Sequence, residues 1–264
     1  MSELETSTAA ADPAELDRLY AAWRRVGVGF TVTASRDTVE VERLILATAA
    51  NAGADERLMV CGASWLAVYH TFVDGRRLSE LARHTTMTAR AYLGVLLSLA
   101  IESPDGAGNA PQFDAALSHC GPLRRPRAVY DNVEAIPVFR KWMQTHNLPL
   151  YKRWGMWHDD VTLKRDSIHP LAWLLKVPEL RTRALCGPSI EATFLTHAIK
   201  RVTNARMLAS EVGVSYATAH ATVERLVGRG LLLRQRNGVR QELSLSEFAA
   251  DALGLDAALE TATR

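Results

Sequence analysis

The chain has little cysteine, little aromatic content and no long apolar run, and each shortage excludes a class. Cys61, Cys120 and Cys186 are odd in number and far apart, with no Cys-x-x-Cys pair and no histidine at ligand spacing. That excludes a disulfide-stapled scaffold or a zinc ribbon, so a reducing compartment and a cytoplasmic protein are expected. The longest largely apolar stretch, residues 58–69, is broken by Gly62 and Ser64 and falls short of the roughly 18–20 residues that span a bilayer. No membrane partner is expected. The N-terminal segment holds Glu3, Glu5, Asp12, Glu15 and Asp17 before its first basic residue, whereas export and transit peptides begin basic, so residues 1–11 read as a flexible acidic tail. No Walker loop and no Gly-x-Ser-x-Gly elbow occurs, and Gly27-x-Gly29 lacks the third glycine and the strand-helix context of a dinucleotide site. An enzyme is not expected, and neither is a cofactor or a metal.

What the chain does have is length and uneven charge. Its 264 residues, 48% of them hydrophobic, are enough for one large domain or two ordinary ones with real cores. The net charge of +2 looks neutral. Between residues 196 and 241, however, eight basic residues stand against Glu211 and Glu224 alone, a local excess of six. Such a block is a candidate polyanion surface. Both chain ends are acidic.

Helical periodicity dominates up to residue 230, so the fold class expected is mainly α: a helical N-terminal domain over 12–187, then a smaller C-terminal domain over 188–246 and a terminal helix over 247–264. Asp12-Pro13-Ala14-Glu15 is a helix start, with an Asp cap and proline at the first helical position, for a helix running to about Arg25. Residues 26–32 are either a short strand or a loop. Asp37 can cap a helix bearing Val41, Leu44, Ile45 and Thr48 on one face. Residues 103–111, rich in proline and glycine, form a loop. Gly187-Pro188-Ser189 suggests the domain boundary.

The most informative stretch is 189–246. Ser189 can cap a helix with Ile190, Phe194, Leu195, Ala198 and Ile199 inward; Thr203 then starts a second helix over 204–212 with Leu208, Ala209 and Val212 buried. Gly213 can take the left-handed conformation that turns the chain sharply, and Ser215 caps the next helix. On that helix Ala219, Val223, Leu226 and Val227 repeat at helical spacing, which turns Tyr216, Ala217, His220, Ala221 and Glu224 outward. Two short strands follow, joined by Arg236-Asn237-Gly238-Val239-Arg240.

This order, with Leu208-Ala209, Gly213-Val214-Ser215, Val223, Leu226 and Gly230-Leu231-Leu232, resembles the winged helix-turn-helix of bacterial transcriptional regulators, the broad group of the MarR and ArsR types. The resemblance covers residues 189–246 and implies a partner, double-stranded DNA. A helix fits the major groove and reads bases from its N-terminal half, so Tyr216, Thr218 and His220 are the base-facing candidates. Ser215 and the helix N-terminus would hold a phosphate. Arg206, Arg225, Arg229, Arg236, Asn237 and Arg240 are the phosphate or wing candidates. With about five phosphates neutralised per protomer, log affinity would fall against log salt with a slope near −4.5. The helix has no Arg, Asn or Gln in its first six residues, which predicts modest direct base readout and reliance on the wing or on DNA shape.

Weaker signals have plainer readings. Residues 77–100 can be drawn as a second helix-turn-helix, but their turn has no glycine and no basic wing follows; a helical pair in the core explains them better. His158-Asp159-Asp160 resembles the His-Asp doublet of metal-dependent phosphohydrolases without the further His and Asp at suitable spacing, and reads as a surface turn or a helix cap. Gly62-Ala63-Ser64 resembles the Gly-Ser of nucleotidyltransferases without an Asp-x-Asp. Trp142, Trp154, Trp157 and Trp173 either line a pocket for an aromatic small-molecule effector or fill a core. Phe248, Ala252, Leu255 and Leu259 share a face of the terminal helix, which would pack on its own domain or form a dimer seam. The reading that results is a DNA-binding transcriptional regulator, a repressor acting by operator occupancy as a homodimer, with the N-terminal domain sensing an effector, binding a protein partner or dimerising. The alternatives are an antitoxin with an autoregulatory winged helix, and an enzyme with an appended DNA-binding domain.

Overall fold

The computed structural model describes residues 12–200, 203–237 and 240–255, with only the backbone of Lys200, Asn237 and Arg240. The chain is mainly helical, with a small two-stranded antiparallel sheet towards its C-terminal end. Among the described residues no helix is long and apolar enough to cross a membrane. Two compact units are present, Met1–Pro170 and Leu171–Arg264. The acidic tail 1–11 lies outside the described residues.

The first unit is built on α1 (Pro13–Arg25), α2 (Val41–Asn51), α3 (Glu56–Tyr69), α4 (Gly75–Arg83) and α5 (Met87–Glu102). Asp12 caps α1 through its carboxylate, which accepts from the amide of Ala14 at 3.0 Å, and Arg24 and Arg25 close the helix against its negative end. The start of α2 differs from expectation: the helix begins at Val41, and Asp37 does not cap it. The intervening residues run extended because Glu40 is drawn to the half-buried surface of α4, where it accepts from Arg77 Nε at 2.8 Å.

Helix α5 is the centre of this unit. Every residue from 91 to 100 is buried, with α2 and α3 packed on it. A helix buried all round is one surrounded by protein, so α5 leaves only its first turn and Glu102 at the surface, while α4 packs on α2 and on the short helix at Asp114–Leu117. Three indoles are fitted around α5. Trp23 and Trp65 are fully buried with ring centroids 5.7 Å apart, and each indole N–H has a partner, Thr48 Oγ1 and Val26 O, both at 2.8 Å. Trp154 lies on α5 where Gly94 leaves room; a Cβ there would come within 2.6 Å of the ring. Gly62 does the same for Trp23 at 3.3 Å, which accounts for Gly62-Ala63-Ser64 as packing.

Beyond the loop at 103–110 the unit is completed by the short helices α6 (Asp114–Leu117) and α7 (Asp131–Glu134), then α8 (Pro137–Thr145) and α9 (Pro149–Lys152). Strands β1 (Arg127–Ala128) and β2 (Met156–Trp157) pair in parallel. The segment left open as strand or loop contributes a single antiparallel bridge, Val28 to Ile168.

The second unit comprises α10 (Leu171–Leu174), α11 (Pro178–Cys186), α12 (Ile190–Lys200), α13 (Ala205–Val212), α14 (Tyr216–Gly228), β3 (Leu232–Asn237), β4 (Arg240–Leu245) and α15 (Glu247–Ala252). The division at Pro170 replaces the boundary expected at Gly187. Gly187 is a turn inside the unit, at φ 74°, and α11 packs along α12. Arg181 of α11 ties this unit together by donating to the carbonyl of Leu175 at 2.6 Å and to that of Leu253.

The terminal helix is shorter than its periodicity suggested. It stops at Ala252, with Gly254 at φ 59°, and its buried face is Ala249 and Leu253, while Phe248 and Ala252 are exposed. Ser246 caps the helix start, and the chain turns where Arg181, 72 residues upstream, takes the Leu253 carbonyl. Leu259 lies outside the described residues.

Candidate functional site

Helices α12, α13 and α14 and the β3–β4 hairpin enclose one apolar core containing Phe194, Leu195, Leu208, Val212, Ala219, Val223, Leu226, Leu232 and Leu243. The local signals set the angles between them. Asn204 caps α13 by accepting from the Met207 amide at 3.0 Å. Gly213 is left-handed at φ 74° and ψ 42°, and its amide returns to the Ala209 carbonyl at 2.9 Å. Ser215 Oγ then accepts from the Thr218 amide at 3.1 Å and starts α14. Thr203 and Leu243 exchange both backbone hydrogen bonds, at 2.9 and 2.7 Å, which binds the hairpin to the start of α13.

Helix α14 is buried along Ala219, Thr222, Val223 and Leu226, and its other side is exposed. Tyr216, Thr218 and His220, the base-facing candidates, are all on the exposed side. They do not form one patch. Tyr216 and His220 lie together, ring centroids 5.9 Å apart, on the flank towards the hairpin. There a cleft of about 440 Å³ opens between the start of α13, α14 and the sheet, and Arg206, Tyr216, His220, Arg234 and Gln241 line it. Thr218 sits on the opposite flank, where its hydroxyl bonds Ser215 Oγ at 2.8 Å. Ser215 thus uses its side chain as a cap, and only the backbone amides at this helix end remain for an anion.

The arginines divide in the same way. Arg225 Nε donates to Glu191 Oε1 at 2.9 Å and Arg229 Nη1 to Glu191 Oε2 at 2.5 Å, so one carboxylate of α12 holds both. Both guanidinium groups stay half exposed while Glu191 is only 15% exposed. Arg234 is bound to Glu224, whose carboxylate is also 3.4 Å from His220 Nε2. Arg206 and Arg236 are exposed. The side chains of Asn237 and Arg240, with residues 238 and 239, lie outside what is described. Across 189–246 eight basic residues face the four carboxylates Glu191, Glu211, Glu224 and Glu242, a net of +4. Sequence reasoning missed Glu191 and Gln241 as members of this surface, and it placed Glu224 outward and counted Arg234 without pairing them. Glu191 lies 34 residues from Arg225 and 38 from Arg229, and only the fold joins them.

Of the four tryptophans, the three in the first unit have separate surroundings. Trp154 is buried and its Nε1 donates to Ser98 Oγ at 3.1 Å, a core role. Trp142, on α8, is 53% exposed, stacked on His146 at 3.7 Å and donating to Asp159 at 3.1 Å. Trp157 is half-buried on β2, and Trp173 belongs to the other unit. His158 is not at the surface as expected of a turn: it is buried between the rings of Tyr130 and Tyr151, at 5.0 and 5.1 Å. Asp160 makes the turn, accepting from the Thr162 amide at 2.9 Å and hydroxyl at 2.6 Å. Among the described residues no group of three or more His, Cys, Asp or Glu side chains is placed to hold a metal ion. Burial raises all three thiols, that of Cys120 to about 11. No protein-family model, curated protein or solved structure matches this chain.

Proposed function

We propose that the second unit is a winged helix-turn-helix module that binds double-stranded DNA, and that the protein is a transcriptional regulator acting by operator occupancy. The observation that carries this reading is the two-sidedness of α14. One side is locked into the core after a left-handed turn at Gly213, and the other presents Tyr216, Ala217, His220 and Ala221 to solvent beside a hairpin bearing Arg234 and Arg236. Small residues at 217 and 221 let the helix axis come close to base edges, and a helix of this kind fits the major groove. Glu224 is the one acidic group on that face; its pairing with Arg234 keeps it from repelling phosphate. Arg206, Arg236 and Arg240 are the phosphate contacts in this reading, and Tyr216 and His220 the base contacts. A two-fold homodimer would place two such helices on half-sites one helical turn apart.

The direct test is fluorescence anisotropy of a labelled random-sequence duplex titrated with the full chain at low salt. Saturable binding that weakens with salt is expected. No anisotropy change at 50 mM salt, where nonspecific binding by such a surface is strongest, would refute DNA binding.

A further inference from the structure

The cleft beside α14 is too small for a duplex and of the size that holds a small molecule, about 440 Å³. One wall is a stripe of α14, where Tyr216, His220 and Val223 stand at i, i+4 and i+7 on one side of the helix. The other wall is one face of the sheet. Arg234 pairs with Leu243 and Arg236 with Gln241, and residues directly opposite or two apart share a face. Arg234, Arg236 and Gln241 are therefore on the side where Leu243 enters the core. The cleft is the outward continuation of that core, with the buried Val223 and Leu243 as its floor and polar groups above them.

Its lining charge has one sign. Among the described residues that line it are Arg206 and Arg234 and no carboxylate. The first unit has a cleft of about 340 Å³ as well, but Glu56 and Asp160 line it together with Arg57 and Lys164, so it selects no charge. Glu224 stands outside the lining of the α14 cleft, accepts from Arg234 and lies 3.4 Å from His220 Nε2, which holds both side chains in place. It offsets the charge of Arg234 and leaves that of Arg206. A guanidinium has five N–H donors, so Arg234 keeps donors for a ligand, and Arg206 is exposed. Tyr216 is 57% exposed, and its ring is tilted by 50° to that of His220, so a planar group can lie against it. Two amides complete the lining, Gln241 and Asn204; the Oδ1 atom of Asn204 caps α13, which leaves its NH2 group to donate.

We propose that this cleft binds a nucleoside monophosphate, its phosphate on Arg206 and Arg234 and its base against Tyr216 and His220, and that the bound nucleotide displaces DNA from α14. Guanidinium groups suit a phosphate, which accepts from each in a fork. A nucleobase stacks on aromatic rings and offers its edge to amide donors and acceptors. A simple aromatic acid would leave Asn204 and Gln241 without a partner. The displacement rests on the DNA-binding reading, in which the same Arg206, Tyr216 and His220 contact the duplex.

The test uses the full chain. Isothermal calorimetry without DNA, with AMP, GMP, CMP and UMP as probes, should show saturable binding of at least one. The matching nucleoside and ribose phosphate should each bind at least about tenfold more weakly, since each lacks one part of the contacts. Arg206→Ala should weaken the nucleotide and ribose phosphate but not the nucleoside, and Tyr216→Ala the nucleotide and the nucleoside but not ribose phosphate. Both side chains are exposed, so neither change opens the core. No saturable heat at millimolar concentration with any of the four, inorganic phosphate binding as tightly as the nucleotide, or unchanged affinity in both variants would overturn the site. In a second arm the tightest nucleotide is titrated into the complex with a labelled duplex. A fall in anisotropy is expected, and a complex that persists at saturating nucleotide overturns the displacement. A duplex that never binds refutes the DNA-binding reading alone, and calorimetry still decides the ligand.

Discussion

Replacing Glu191 by Gln should make DNA binding more sensitive to salt. Glu191 holds Arg225 and Arg229 together. In the proposed reading the phosphate contacts are then Arg206, Arg236 and Arg240, three per protomer, for a slope of log affinity against log salt near −2.7 at about −0.9 per phosphate. Freeing Arg225 and Arg229 brings the number to five and the slope to about −4.5. Between 50 and 200 mM salt the wild-type protein should therefore lose roughly fortyfold in affinity and Glu191→Gln roughly five-hundredfold. The fold should tolerate the change. Both ion pairs are half exposed on the arginine side, so together they contribute about 1 kcal/mol, and the Gln amide oxygen can still accept from one guanidinium. Anisotropy titrations of one duplex at four salt concentrations measure both slopes. Equal slopes for the two proteins, or a wild-type slope already near −4.5, would refute the reading that Glu191 keeps Arg225 and Arg229 from phosphate.

Three further outcomes follow from the geometry. Tyr216→Ala and His220→Ala should alter which sequences are preferred, whereas Arg236→Ala with Arg240→Ala should weaken every duplex alike; competition assays with specific and random DNA separate the two effects. Gly94→Ala should cost about 1–3 kcal/mol in urea unfolding, because the new Cβ meets the Trp154 ring inside a core that cannot yield; an unchanged midpoint would contradict that packing. His169 is held below its usual pKa by burial and by Arg24, whose Nη1 is 2.7 Å from His169 Nε2. A base with a lowered folded pKa favours the neutral form, so its contribution to stability is fully present above the ordinary imidazole value of 6.5 and is lost as pH falls below it. The urea midpoint should drop between pH 7.5 and 5, and His169→Gln should remove part of that dependence; an unaltered dependence in the variant would refute the assignment.

Much of the second unit was readable because its geometry is set by short-range chemistry. Gly213, Ser215 and Gly230 act on backbone groups within four residues of themselves, and each does in the structure what its residue type predicts, whereas α13 is capped by Asn204 and not started by Thr203. The same locality explains the errors. Asp37 is a good cap by type, yet Glu40 is pulled to Arg77 across the fold and the helix starts later. Gly187 is a true turn, and nothing in its neighbours reveals that α11 packs with the helix after it. The terminal helix kept its period in the sequence but ends at Ala252, next to the Leu253 carbonyl that Arg181, far upstream, takes. Charge was the least legible property of the site. A count over 196–241 omits Glu191 and Glu242, and no local pattern tells that one carboxylate neutralises two arginines of the next helices. The effector expectation rested on tryptophan density, while the cleft of the first unit is lined from α3 and from a turn about a hundred residues later.

The central claim, that α14 and the hairpin read duplex DNA, is tested most directly by selecting bound duplexes from a random library with the full chain and repeating the selection with Tyr216→Ala and His220→Ala together. Enrichment of a motif of two half-sites about 10 base pairs apart, altered in the double variant, is the predicted result. An unenriched pool, or a motif that the double variant selects unchanged, would contradict it.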